Sequence, residues 1–234
     1  MTLQPRFEHV KREWLTIVRP PLPGAHRFDI VKSEADEIIH AGRWVSGPDD
    51  LMSVLGRQRD EVMHSRVIAW LLRPTGRHGL GSRFLNALVE HVWPDENLVR
   101  TGLVTVEVET TRSAADDAGQ SRRARADIVV YGENATLVIE NKVDAGEGID
   151  QCERLYWSWA DQPTDTRWLF LSPTGRSPVT ATSAEALAAW RTMGYGEIRT
   201  LLEDVLSSAG ESGAAPGRLT ANQYLATLAK VALD

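Results

Sequence analysis

Two short apolar runs on either side of a four-residue turn constrain this chain more than any other feature. They read Asp127-Ile-Val-Val-Tyr131, Gly132-Glu133-Asn134-Ala135 and Thr136-Leu-Val-Ile-Glu140. The middle segment has the residue chemistry of a hairpin turn. Runs that are apolar at successive positions belong to strands covered on both faces, so the hairpin is expected in the middle of a sheet with helices above and below. Asp127 and Glu140 are equidistant from a turn centred between Glu133 and Asn134, which sets them directly opposite each other. Opposed residues of an antiparallel pair share a face, with Cβ atoms about 4.5–5.5 Å apart. Lys142, two residues beyond Glu140, points the same way.

Two carboxylates and an ammonium thus converge at one end of a buried sheet. Facing carboxylates repel and call for a cation. Mg²⁺, with Mn²⁺ as a substitute, suits them: it takes hard oxygen ligands, keeps several waters and can hold a phosphate as well. The backbone carbonyl of Asn141 is a further candidate ligand. Such an ion acidifies a water and polarises a scissile phosphate, while Lys142 would stabilise the charge that develops. The plainer reading is a surface strand end, with Asp127 salt-bridged to Lys142 or Arg125. The buried setting and the hairpin register favour the metal site.

The surrounding pattern fits a mixed sheet. Helical spacing covers patches around Phe7–Val18 and Ile30–Ala41, separated by Arg19-Pro20-Pro21-Leu22-Pro23-Gly24. It returns over 58–72, and again over 82–92, where Ser82 stands as a cap. Leu103–Thr110 alternates with period two and is expected to be a strand. Residues 111–123 hold almost nothing to bury and are expected to be a mobile loop. Ile149, Cys152, Leu155, Tyr156 and Trp159 repeat at helical spacing, and Trp168–Leu171 is a fourth strand. Helices are expected over 183–190, 197–207 and 220–233, the last after a linker at 208–217. The expectation is one α/β domain: a helical extension over 1–57, a core over 58–205 with four strands, and a C-terminal helix over 206–234.

With Cys152 the sole cysteine, no intrachain disulfide can form, which suits a reducing cytoplasm. No apolar run approaches a membrane span and no secretory signal is legible at the start. The formal net charge of −6 argues against a protein that coats nucleic acid through a broad basic surface. It leaves room for a local basic groove, and Arg122, Arg123 and Arg125, just ahead of Asp127, are the candidates to hold a nucleic-acid backbone. Glu107 and Glu109 read as solvated edge-strand residues. His64 and His78 read as structural hydrogen bonders, and at least two of Tyr156, Trp157 and Trp159 as packing residues.

Asp127-Ile-Val-Val, then Leu-Val-Ile-Glu140-Asn-Lys142, then Gln151 on the next helix, resembles the core of the PD-(D/E)XK nuclease superfamily and its RecB-like branch. Glu61-x-x-His64-Ser65-x-x-Ile68-Ala-Trp-Leu-Leu, with His78-Gly79-Leu-Gly, is similar to a bacterial subgroup of it. The resemblance implies a restriction-endonuclease-like core and metal-dependent hydrolysis of DNA, or of RNA. It also implies a metal site joined by Glu61 and oriented by Gln151. Glu61, His64, Ser65 and Ile68 share a helix face, in agreement. RecB-like members carry Tyr four residues after that Gln, whereas this chain has Leu155 there and Tyr156 one step on, a turn of about 140° too far to substitute simply. The implied partner is nucleic acid, DNA ahead of RNA. A homodimer is the easiest way to cut both strands of a duplex, and defence, restriction or repair is the implied setting. The competing readings are a catalytically silent binding module with the same fold and a hydrolase of another phosphoester.

Overall fold

The computed structural model describes residues 9, 12–14, 25–43, 46–94, 103–115, 121–210 and 216–232. The chain divides into two compact units, Met1–Gly47 and Pro48–Asp234. Most of the helical patch expected around Phe7–Val18 lies outside the described residues. The first unit contains α1 (Ala25–His40), closed at its C-terminus by Gly42 in the left-handed conformation.

The second unit begins with the short α2 (Leu51–Val54) and α3 (Glu61–Leu72), each capped by an aspartate. Asp50 accepts from Ser53 N and Asp60 from Met63 N. In α4 (Arg83–Val92) the N-cap is Ser82, as expected, but its side chain makes no capping bond; its hydroxyl faces Asn86 instead. The strands β1 (Thr105–Ala115), β2 (Ser121–Tyr131) and β3 (Ala135–Asn141) follow, then α5 (Gln151–Ala160) and β4 (Asp165–Ser172). The unit ends with α6 (Ala184–Ala189), β5 (Trp190–Gly194), α7 (Tyr195–Ser208) and α8 (Arg218–Val231).

The sheet has five strands in the order β1-β2-β3-β4-β5. The first three are antiparallel neighbours, and β3, β4 and β5 run parallel. Four strands were expected. The fifth forms where α6 stops at Trp190 and the chain pairs Trp168↔Trp190 through Ser172↔Gly194. Its five residues carry no alternation long enough to declare a strand.

The mobile loop expected over 111–123 is also replaced. β1 runs to Ala115 and β2 starts at Ser121, with Thr111↔Arg125, Arg112↔Ala124 and Ser113↔Arg123 paired. Backbone ladders need no large side chains. The small Ala124 and Ala126 are buried with Trp159 of α5, and the Arg112 guanidinium lies 5.8 Å from the Trp159 ring centre.

β3 is buried at every residue. Leu137 and Ile139 join α3, α4, α7 and α8 in one apolar cluster, which also takes in Met52. Val138 joins Leu155, Trp159, Phe170 and Trp190 in the other. Helices therefore cover both faces, as runs apolar on both sides require. Among the described residues no helix is long and apolar enough to cross a membrane.

Candidate active site

The hairpin has the register that its turn implies. Ile128↔Ile139, Val129↔Val138, Val130↔Leu137 and Tyr131↔Thr136 are paired, and the same register continued sets Asp127 against Glu140. Asn141 N donates to Asp127 Oδ2 at 2.9 Å. Lys142, just past the strand, keeps its backbone in the ladder by donating to Leu171 O at 2.9 Å.

Lys142 Nζ sits between two carboxylates, 2.6 Å from Glu140 Oε1 and 3.1 Å from Glu61 Oε1. Glu61 is the first residue of α3, and its other oxygen accepts from Val143 N at 3.1 Å. Gln151, first in α5, donates its Nε2 to Glu140 Oε1 and accepts from Gly148 N at 2.9 Å. A cavity of about 350 Å³ is lined by Glu61, Asp127, Lys142 and Gln151, by Arg123 and Arg125 of β2, and by Arg154 and Leu155 of α5. Glu140 lies behind it, with no exposed side-chain surface.

Burial dominates the electrostatics. It lifts Asp127 to about 6 against the hydrogen bond from Asn141 N. It lifts Glu140 to about 8, helped by the charge of Asp127 and opposed by Lys142. Burial alone would lower the Lys142 ammonium, but Glu140, then Asp127 and Glu61, hold it above the ordinary lysine value. Three carboxylates around one ammonium are an excess of negative charge in a poorly solvated place, so the site takes up a proton readily.

Asn141 is read in the sequence only for its backbone carbonyl, yet its side chain ties the site together. Nδ2 donates to Glu61 O and to Ser65 Oγ, and Oδ1 accepts from Tyr195 Oη at 2.6 Å. That one buried amide joins α3, β3 and α7. The connection from β3 to α5 is pinned as well. Arg59 Nε donates to Asp144 at 2.6 Å, and the carboxylate of Glu147 accepts from Arg176, Thr180 Oγ1 and the amides of Val179 and Thr180.

Two backbone strains flank the centre. Glu109 and Asp150 are the non-glycine residues with positive φ among the described residues, at 53° and 49°. Glu109 faces Asp127 at the one position the β1–β2 pairing skips, and Asp150 immediately precedes Gln151. Such strain costs on the order of 1–3 kcal/mol and gathers at functional sites. Nothing in the local sequence announces either.

Other candidates take structural places. His64 Nδ1 meets Tyr224 Oη at 2.8 Å and Nε2 meets Gln58 O at 2.9 Å; burial holds its pKa down. Leu80 N donates to His78 Nδ1, so His78 Nε2–H donates to Arg73 O. Tyr156 packs against Trp157 and Trp168, Trp159 is fully buried, and exposed Trp157 bonds to Glu153. Glu107 accepts from Thr110 on exposed β1. Glu109 pairs with Arg125 at 3.2 Å and with Arg66 of α3 at 3.6 Å. Of the three arginines ahead of Asp127, Arg123 and Arg125 reach the cavity; the side chain of Arg122 lies outside the described residues.

The donor set fits a hard divalent cation. Glu140 Oε2 is buried and has no hydrogen-bond partner among the described residues, a costly state for a carboxylate oxygen. Asp127 stands opposite it on the cavity wall. Among the described residues no group of three or more His, Cys, Asp or Glu is placed to hold a metal ion. Glu61, expected as a ligand, has both oxygens engaged by Lys142 and Val143. Two carboxylates, completed by waters and a backbone carbonyl, are a normal set for Mg²⁺.

The family model described as the PD-(D/E)XK nuclease superfamily matches residues 49–224. The chain belongs to that superfamily, whose members are generally nucleases that use divalent metals. No curated protein and no solved structure is significantly similar to the chain.

Proposed function

We propose that this protein is a Mg²⁺-dependent nuclease that hydrolyses phosphodiester bonds, with DNA the first substrate to test. The observation that carries the reading is the buried, partnerless Glu140 Oε2 opposite Asp127, with the Lys142 ammonium alongside. Asp127 and Glu140 would hold the ion, with the Asn141 carbonyl as a further ligand. When bound, the ion would acidify a water and polarise the phosphate.

The chain's own residues do the rest. Glu140 and Glu61 keep Lys142 charged and aimed at the cavity, where its ammonium can stabilise negative charge that builds on the phosphate. Glu61 acts here as the positioning residue for Lys142. Gln151 holds Glu140 Oε1, leaving Oε2 for the ion. Its place on α5 supports kinship with the RecB-like branch, with Leu155, buried on the cavity wall, where that branch carries tyrosine. Arg123 and Arg125 would hold the nucleic-acid backbone at the rim.

The test is incubation of the pure protein with labelled plasmid, linear duplex, single-stranded DNA and RNA, in Mg²⁺, Mn²⁺ or EDTA. Cleavage that needs the metal and fails in Lys142→Ala supports the reading. Binding without cleavage under every condition would make the protein a silent module.

A further inference from the structure

Arg154 lies one helical turn after Gln151, and Gln151, Arg154 and Leu155, at spacing i, i+3 and i+4, line the cavity from one face of α5. Its Nε is buried without a hydrogen-bond partner among the described residues, just as Glu140 Oε2 is. The same site thus holds an acceptor that lacks a cation and a donor that lacks an acceptor.

The other cations of the cavity differ. Lys142 is engaged by Glu140 and Glu61, Arg125 is paired with Glu109, and Arg123 is exposed at the rim. Among the described residues no carboxylate is paired with Arg154. Arg154 is half-buried, and its Nε is shut away from solvent with no acceptor beside it, which packing alone leaves as an unsatisfied donor. The carboxylates of the cavity are engaged by other partners or stand where an ion belongs, so the missing acceptor is one that arrives with the substrate. A planar guanidinium matches the oxygens of a phosphate in both charge and geometry.

We propose that Arg154 binds the phosphodiester backbone of the nucleic acid, donating to non-bridging phosphate oxygens inside the cavity. This rests on the nuclease reading above and adds an inner phosphate contact to the outer pair Arg123 and Arg125.

The experiment uses the full chain and its Arg154→Ala, Arg154→Gln and Arg154→Lys variants. Binding to labelled single-stranded and duplex oligonucleotides is measured in Ca²⁺ over a salt series, cleavage in Mg²⁺ and Mn²⁺, and Mn²⁺ affinity by calorimetry without nucleic acid. Arg154→Ala and Arg154→Gln should weaken binding about tenfold, uniformly over sequences, and lower the salt slope by about one, the signature of one lost phosphate contact. Arg154→Lys should restore the slope but only part of the affinity, because an ammonium lacks the fork. Melting temperature and Mn²⁺ affinity should stay at wild-type values; if Arg154→Ala does not fold, the glutamine and lysine variants carry the comparison.

Wild-type cleavage with an unchanged slope and KM in Arg154→Ala and Arg154→Gln would overturn the proposal and leave the nuclease reading standing. Binding without cleavage, weakened by the variants, would leave Arg154 as a phosphate contact and remove the nuclease. Neither binding nor cleavage of any nucleic acid by the wild type would remove both.

Discussion

Two glutamates seven residues apart show how differently one stretch of chain can treat a buried carboxylate. Glu140 and Glu147 both have side chains with no exposed surface. Glu147 is surrounded by donors: Arg176, Thr180 Oγ1 and two backbone amides. Burial alone would raise it, but these bonds bring it down to about 2. Glu140 shares one oxygen with Lys142 and Gln151, leaves the other bare, and rises to about 8. Glu140 lies deeper and beside the charges of Asp127 and Glu61, whereas Glu147 sits nearer the surface among its donors, so depth, neighbouring charge and hydrogen bonding together separate the two. A carboxylate left short of donors in a fold that can supply them is held for something that arrives later.

The largest expected break between the two is in turnover. Lys142→Ala should lower cleavage by about 10²–10³ while metal affinity and fold survive, because a preorganised charge-stabilising donor is lost. Glu147→Gln should leave the Lys142 and Glu140 contacts in place and retain most of the rate per folded molecule. Single-turnover rates and Mn²⁺ calorimetry on both variants check this; cleavage at the wild-type rate by Lys142→Ala would remove it from the chemistry.

Stability should reverse the order. Glu147→Gln should cost about 1–3 kcal/mol, since charge-assisted hydrogen bonds are weakened and a donor is turned against donors. Glu140→Gln in EDTA should cost nothing or stabilise, because it relieves the repulsion with Asp127. Denaturant titrations give both numbers, and equal losses would erase the distinction.

Acidity sharpens the contrast further. Asp127 and Glu140 have folded pKa values of about 6 and about 8, above the roughly 4 of an unfolded chain. Between those limits the folded state binds more protons than the unfolded one. The metal-free protein should therefore lose stability as pH rises from about 4 through 8, by at most about 1.4 kcal/mol per pH unit for each group. Mg²⁺ should flatten that slope. Glu147 has the opposite sign, with its contribution present above about pH 4 and lost as pH falls toward 2. Melting curves from pH 5 to 9, with Mg²⁺ or EDTA, test the sign; stability rising with pH in EDTA would contradict the assignment.

The smallest effect expected is at the rim. Arg123→Ala and Arg125→Ala should each lower the salt slope of nucleic-acid binding by about one, with little change in single-turnover rate at saturation. Fluorescence titrations over a salt series measure it, and an unchanged slope would remove these arginines from the interface.

The central hairpin was legible because two apolar runs and one turn leave a single register that buries both strands. Asp127, Glu140 and Lys142 come with that register, whereas Gln151 is singled out only by the resemblance to the superfamily's RecB-like branch. The arm formed by residues 111–115 and 121–126 was not legible, because alanine, serine and arginine declare no core and the pairing is made by backbone. Its one trace is the alternation Arg123-Ala124-Arg125-Ala126, with both alanines buried. β5 was hidden by the alanine-rich helix running into it, and only β4 makes Trp190–Gly194 a strand. The roles of Glu147 and Asn141 depend on partners up to 80 positions away, and that of Arg154 on the cavity it lines, which no local pattern encodes.

The two left-handed residues carry a last consequence. At φ near 50°, glutamate at 109 and aspartate at 150 occupy backbone states that glycine would take at no steric cost. Replacing either with glycine would relax the local geometry, and at 109 it would also release Arg125 and Arg66 from their shared carboxylate. Optimisation for thermal endurance alone would push both positions toward glycine, so they are where a stabilised variant of this protein is most exposed to trading function for robustness.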